Sequence, residues 1–132
     1  MRRYYDFAVR YQNVTGPESR DVSQDYRGRI AVQGVSTNPG KATDMVLPIV
    51  RAAGDYTAVN LVNLLGVASA EWKTPQPTDP KPLGQTAVRL SGITRPVEGL
   101  WMASSDGPQA SLREVPFTLE AGMLSFDISS LA

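Results

Sequence analysis

The side chains in this sequence that could carry out hydrolytic chemistry are carboxylates. The chain of 132 residues has 13 Asp and Glu residues and neither cysteine nor histidine. A thiol nucleophile, a Ser-His-Asp triad and a zinc site of Cys and His ligands are therefore excluded within it. A glycosidase needs two carboxylates across a cleft, and the spacing of these 13 singles out no such pair. The sequence therefore predicts no catalytic residue.

Two polar segments carry oxygen ligands of the kind that calcium prefers. They are Asp21 to Asp25 and Ser104 to Gly107. Neither follows the calcium-loop pattern of an EF-hand, and Ser-Ser-Asp-Gly is typical of an ordinary turn. The chain also lacks a phosphate-binding loop and a dinucleotide-binding fingerprint. We therefore predict no metal site and no cofactor.

Aromatic side chains offer a second kind of chemistry, the stacking of sugar rings. The apolar C–H face of a pyranose packs on a flat aromatic ring as other apolar groups do. Trp72 lies beside a proline-rich loop, whereas Trp101 lies between two apolar neighbours, a setting typical of a core strand. Tyr56 and Tyr26 are weaker candidates of the same kind. Trp72, Trp101 and Tyr56 are the predicted carbohydrate-binding residues.

The charge balance excludes two classes of partner. Thirteen Lys and Arg residues match the 13 acidic ones, so the formal net charge is zero. Capture of nucleic acid or of an anionic membrane surface needs a basic face.

The sequence predicts neither a membrane span nor a signal peptide. No stretch approaches the ~20 apolar residues of a membrane span, and Met1-Arg2-Arg3 is not followed by an apolar run. If the natural protein is secreted, we expect this chain to be a fragment or to lack its leader.

The first predicted element of the chain is a helix over Arg2–Asn13. Tyr4, Phe7 and Tyr11 fall on one apolar face at helical spacing, and a glycine and a proline follow as a stop signal. A helix of about 11 residues is marginal alone, so this aromatic face requires a partner surface inside or outside the chain. The same face predicts self-association when that partner is missing.

The rest of the chain is predicted to form short strands separated by glycine and proline turns. Seven segments have strand-like patterns: 30–35, 47–52, 56–65, 86–92, 97–103, 112–119 and 123–129. Pro48 indicates an edge position for the second. Strands at about ten-residue spacing predict a mainly β fold, an antiparallel β-sandwich of about seven strands of Greek-key type. We place the N-terminal helix at residues 1–15 and the sandwich domain at residues 16–132.

Two motifs resemble a known family. Tyr4 to Asn13 is similar to the YYDFAVxYEN segment of glycoside hydrolase family 66, with Gln12 in place of the glutamate. Val59 to Val67, followed by Trp72, is similar to the xxLINLLGV…W stretch in the C-terminal region of that family. The family contains dextranases and cycloisomaltooligosaccharide glucanotransferases, and the resemblance covers most of the chain.

The resemblance implies a position and a role. In the family, the catalytic Asp and Glu lie in a barrel upstream of the matching region, so this sequence carries neither of them. The family's C-terminal domain is an antiparallel β-sandwich that packs against the barrel, which makes the opening helix a remnant of the last barrel helix. The resemblance also implies an extracellular enzyme that acts on α-glucan.

Three functions follow, in order of preference. The first is a non-catalytic accessory domain that supports the catalytic barrel, with an α-glucan oligosaccharide as a second partner. The second is a free-standing carbohydrate-binding module, which requires an exposed aromatic platform. The third is a small stand-alone glycosidase that uses two carboxylates, and it is the least favoured because no carboxylate pair stands out.

Overall fold

The computed structural model of this chain describes residues 2–39, 43–71, 73–75, 81–84, 86–105 and 111–129, with side chains from Tyr5 onward. These ranges contain two short helices, α1 (Arg2–Arg10) and α2 (Gln12–Thr15). They also contain nine strands: β1 (Arg20–Asp21), β2 (Ile30–Val32), β3 (Val46–Ala53), β4 (Tyr56–Asn63), β5 (Ala87–Leu90), β6 (Trp101–Met102), β7 (Arg113–Glu114), β8 (Phe117–Glu120) and β9 (Met123–Asp127). A 3₁₀ turn, Ser23–Tyr26, follows β1. None of the helices in these ranges has the length and apolar character that crossing a bilayer requires.

The strands form a sandwich of two antiparallel sheets. The first sheet has the order β1-β3-β4, and the second has the order β2-β5-β9-β8. A separate ribbon is made by β6 and β7. Buried side chains of both sheets meet between the layers, and the most deeply buried are Val46, Val50 and Val88. The predicted antiparallel sandwich is confirmed.

Alternation along the strands decides which side chains reach this core. In β3 the side chains of Val46, Pro48 and Val50 are buried, while those of Leu47 and Ile49 are only half-buried. Successive residues of a strand point to opposite faces, and the β-branched valines suit a pleated, half-buried surface. The first sheet therefore has an inner face in the core and an outer face that also carries apolar side chains.

The strand count and several boundaries differ from the prediction of about seven. The predicted strand 112–119 is divided into β7 and β8 around Pro116, because proline has no N–H to donate to a ladder. The predicted strand 97–103 is reduced to Trp101–Met102, and Arg20–Asp21 forms a strand that is too short to leave a pattern in the sequence.

The edge position predicted from Pro48 is wrong, since β3 lies between β1 and β4. The pairing register gives the reason. Pro48 is opposite Leu61 on β4, while β1 pairs only with Arg51 and Ala52 of β3. The missing N–H of Pro48 therefore falls outside the stretch that β1 covers, where a ladder does not need it.

The predicted helix over residues 2–13 is interrupted at Tyr11. Its backbone angles, φ −109° and ψ 17°, are not helical, and it becomes the N-cap of α2. The second helix ends at Gly16, whose N–H donates to the Gln12 carbonyl at 2.7 Å. A Cβ at Gly16 would collide with that same carbonyl oxygen, so this tight end requires glycine.

The turn between β8 and β9 gives a stability prediction. Ala121 and Gly122 both have positive φ, 50° and 76°, as a type I′ hairpin turn requires. Ala121→Asn is expected to raise the free energy of unfolding by about 0.5–1 kcal/mol, because Asn tolerates the left-handed region better than Ala. Urea unfolding followed by circular dichroism measures this. A variant with unchanged or lower stability would contradict the turn geometry.

Candidate functional site

The structure describes two of the three predicted carbohydrate-binding aromatic residues. Trp72 lies outside the described residues. Trp101 is 50% exposed and Tyr56 is 67% exposed. The core setting that the neighbours of Trp101 suggest is therefore wrong, because alternation along β6 turns Met102 into the core and Trp101 toward solvent.

The structure does not bring Tyr56 and Trp101 together. Tyr56 pairs with Ala53 beside the turn that joins β3 and β4. Trp101 precedes Met102, whose side chain belongs to the cluster that contains Val46, at the opposite end of β3. An eight-residue strand spans roughly 25 Å, so the two rings form no common platform.

Trp101 and its neighbouring residues form a small surface. A Cβ at Gly99 would lie within 2.8 and 2.9 Å of Cζ3 and Cζ2 of the indole, so the six-membered ring rests against the Gly99 backbone. On the neighbouring strand, Glu114 is directly opposite Trp101, and Leu112, two residues before it, is 54% exposed. We call Trp101, Gly99, Leu112 and Glu114 the Trp101 platform.

The predicted docking face of the helix is partly occupied within the chain. The rings of Phe7 and Tyr11 contact each other edge-on, with centroids 4.9 Å apart, and both side chains are half-buried. The side chain of Tyr4 lies outside the described part of the structure. Among the side chains of α1 that the structure describes, the large apolar ones that are exposed are Tyr5 and Val9, at 71% and 47%. Sequence analysis missed this second face, although its i, i+4 spacing is the signal of adjacent helical positions.

Arg51 connects the N-terminal segment to the sandwich. Its guanidinium donates from Nη2 to the carbonyl oxygens of Ser19 at 2.6 Å and Gly16 at 3.2 Å, and from Nε to the Ser19 hydroxyl at 2.5 Å. The Ser19 hydroxyl in turn donates to the Gly16 carbonyl. This cluster holds the segment that follows α2 against the middle of the first sheet.

A shallow groove of about 430 Å³ lies on the outer face of the first sheet. Its lining combines the apolar side chains of β3 with the polar turn after β1: Asp21, Val22, Ser23, Gln24, Asp25, Pro39, Leu47 and Ile49. Neither Trp101 nor Tyr56 is among them. The groove does bring together Asp21 and Asp25, which the sequence offered as oxygen ligands.

The polar groups at this groove serve the fold. Oδ1 of Asp21 accepts the N–H of Ser23 at 2.9 Å, and the buried Ser23 hydroxyl accepts the N–H of Val50 at 2.9 Å. Across the described ranges, every buried side-chain nitrogen and oxygen has a hydrogen-bond partner. In the same ranges, no three Asp or Glu residues lie close enough together to hold a metal ion.

Two exposed carboxyl groups have lowered pKa values. The hydroxyl and N–H of Ser23 lower the pKa of Asp21, and those of Ser129, with help from Thr86, lower the pKa of Asp127. Hydrogen bonds to the charged form of a carboxyl have this effect. A general acid needs the opposite shift, so neither group is suited to protonate a leaving group.

These shifts predict an acid-sensitive fold. Both pKa values are below 3.8, the usual value of an aspartate, so their stabilising contribution is present above that pH and is lost as the pH falls through the folded-state values. With no histidine in the chain, we expect a level free energy of unfolding from pH 8 to about 5 and a decline below about 4. Asp127→Asn should flatten the decline in urea titrations. An unchanged profile in that variant would contradict the role of Asp127.

Comparison with known proteins gives one family match and a structural match. The family model of glycosyl hydrolase family 66 matches residues 1–132. A crystal structure of a Paenibacillus sp. cycloisomaltooligosaccharide glucanotransferase, complexed with cycloisomaltoheptaose, matches with a TM-score of 0.82 and 17% identity. No curated protein matches.

The structural match covers very different shares of the two chains. It covers 96% of this chain but 18% of the glucanotransferase chain. At this identity the match shows a common fold, and the family model extends it to common descent over the whole sequence. The chain belongs to glycosyl hydrolase family 66.

Proposed function

We propose that this chain is a non-catalytic β-sandwich domain of an extracellular, α-glucan-acting glycoside hydrolase, and that it supports the catalytic barrel. The observation that carries the proposal is the coverage: the whole chain matches the family, yet it corresponds to 18% of the glucanotransferase chain. Catalysis then belongs to the remaining part of such an enzyme, and this domain needs no cofactor.

The carboxylates of the described residues support a non-catalytic role. Of the two that line the groove, Asp21 is engaged by Ser23 and has a lowered pKa. A glycosidase needs one carboxyl with a raised pKa to act as the acid. The groove is also open, and none of the described residues that line it is aromatic and could hold a sugar ring beside these carboxylates.

Helix α1 supports docking to the barrel. One of its faces carries Phe7, whose ring packs against that of Tyr11 just after the helix, and the other exposes Tyr5 and Val9. A helix with apolar side chains on two faces is suited to a position between two packed layers. We propose that the Tyr5–Val9 face contacts the barrel, and that it promotes self-association of the isolated chain.

A carbohydrate-binding module is the second candidate. Its specific support is the exposure of Trp101 and Tyr56, since sugar-binding surfaces use exposed aromatic rings. The two functions are compatible in one domain, because the exposed helix face and the exposed aromatic rings belong to different elements.

An activity assay tests the proposal. The comparison needs the catalytic region of a family 66 enzyme from the same source, produced without its sandwich, which we call the barrel polypeptide. We expect the 132-residue chain alone to release no sugar from dextran, and to prolong the activity of the barrel polypeptide at elevated temperature. Turnover of dextran by the chain alone would contradict the proposal and establish the stand-alone glycosidase.

A further inference from the structure

We propose that the Trp101 platform is a saccharide-binding site that takes a glucopyranose unit of an α-glucan. The inference rests on the proposed function, because it takes the polymer class from the enzyme to which this domain would belong. It goes further by assigning one site, formed by residues outside the docking helix and outside the lining of the groove.

The first argument is rigidity. Trp101 is followed by Met102, which is buried in the core, and preceded by Leu100, which packs against the same cluster. The Val115 N–H donates to the Leu100 carbonyl at 2.8 Å, which fixes the ribbon on its other side. Because its backbone is held at both neighbours, Trp101 presents an exposed ring at low cost in conformational entropy.

The second argument is the position of the ring. The six-membered ring lies against Gly99, where any side chain would collide with it. One side of the indole is thereby supported by backbone, and half of the side chain remains open to solvent. A supported aromatic surface with an open side is what the apolar C–H face of a pyranose requires for stacking.

The third argument is the neighbouring polar group. The hydrogen bond between Val115 and Leu100 makes Trp101 and Glu114 the adjacent non-hydrogen-bonded pair, in which opposing side chains lie closest. Glu114 is exposed, and its carboxylate accepts hydrogen bonds from hydroxyl groups beside the ring. Leu112 extends the apolar surface on the same strand.

This combination selects the ligand class. A flat apolar surface beside the Glu114 carboxylate favours a neutral ligand with apolar faces and hydroxyl donors. The carboxylate disfavours phosphate-bearing ligands by charge repulsion. Neutral glucan units meet both conditions, and they are the repeating units of the polymer that the proposed enzyme acts on.

Calorimetric titration of the whole chain with isomaltooligosaccharides of defined length tests the site, with cello-oligosaccharides as the comparison. We expect saturable binding that Trp101→Ala weakens at least tenfold and Trp101→Phe weakens less. Glu114→Gln should weaken it about threefold. Met123→Ser, at an exposed apolar residue of β9, is the matched control and should leave it unchanged.

If Trp101→Ala does not fold, Gly99→Ala tests the site in its place. This variant retains the tryptophan but forces the ring off its support, so we expect the affinity for isomaltooligosaccharides to fall at least threefold. Absence of saturable heat with any isomaltooligosaccharide would overturn the site, as would loss of binding in Tyr56→Ala but not in Trp101→Ala. Loss of docking to the barrel polypeptide in Trp101→Ala would also overturn it, by making the platform a barrel contact, while the proposed function would stand.

Discussion

Arg51→Ala is expected to lower the free energy of unfolding by about 2–4 kcal/mol and to release the N-terminal segment from the sandwich. The guanidinium donates to two carbonyl oxygens and one hydroxyl, those of Gly16 and Ser19. One hydrogen bond that involves a charged group contributes about 1.5–3 kcal/mol, and a buried polar atom left without a partner costs about 1–3 kcal/mol. The three hydrogen bonds share one guanidinium and are not additive, so the expected total is below their sum. Because Ser19 is buried, its carbonyl has no ready substitute donor.

Two further variants test which property of Arg51 is responsible for the expected loss of stability. Arg51→Lys keeps the charge but not the planar fork that reaches several acceptors at once, so it should restore only part of the stability. Arg89→Ala removes an exposed arginine from β5 and should change the free energy of unfolding by less than about 0.5 kcal/mol.

Urea unfolding measures the stability, and limited proteolysis of residues 1–18 measures release of the segment. Faster cleavage of the segment in Arg51→Ala is expected under conditions in which the sandwich remains folded. Wild-type stability and wild-type cleavage in this variant would contradict the role of Arg51 as the connection between helix and sheet.

The double variant Tyr5→Ser/Val9→Ser is expected to weaken docking to the barrel polypeptide about 30- to 700-fold. Exposed apolar side chains that become central in an interface contribute about 1–2 kcal/mol each, and every 1.4 kcal/mol is a factor of ten in affinity. Since both side chains are exposed in the isolated chain, the variant should leave the stability of the sandwich unchanged.

Met123→Ser is the control for this experiment. It removes an exposed apolar side chain from β9, in the second sheet, and should leave docking unchanged. Titrations by biolayer interferometry give the affinities of the three proteins. Equal affinity of the double variant and the wild type would contradict docking through the Tyr5–Val9 face, and a larger loss in Met123→Ser would move the interface to the second sheet.

The parts of the fold that could be predicted are those whose pattern is local. The alternation of β3 and β9 lies within short stretches of sequence, and the sandwich follows from the number and spacing of such segments. The divided strand around Pro116 was also marked locally by the proline, but the long apolar alternation of 112–119 hid the break.

The parts that could not be predicted depend on contacts between distant residues. The contacts of Arg51 join it to residues more than 30 positions earlier, and nothing near Arg51 in the sequence reports them. The exposure of Trp101 depends on which side of a two-residue strand faces the core, and two residues carry no periodicity. Tyr5 and Val9 stand among charged residues, which concealed the second face of the helix.

The most direct test of the central claim is sedimentation velocity of the 132-residue chain mixed with the barrel polypeptide. If the chain is a supporting domain of a family 66 glycoside hydrolase, it will co-sediment with the barrel polypeptide as a one-to-one complex, and the self-associated species of the isolated chain will disappear. Independent sedimentation of the two polypeptides across micromolar concentrations would contradict the account.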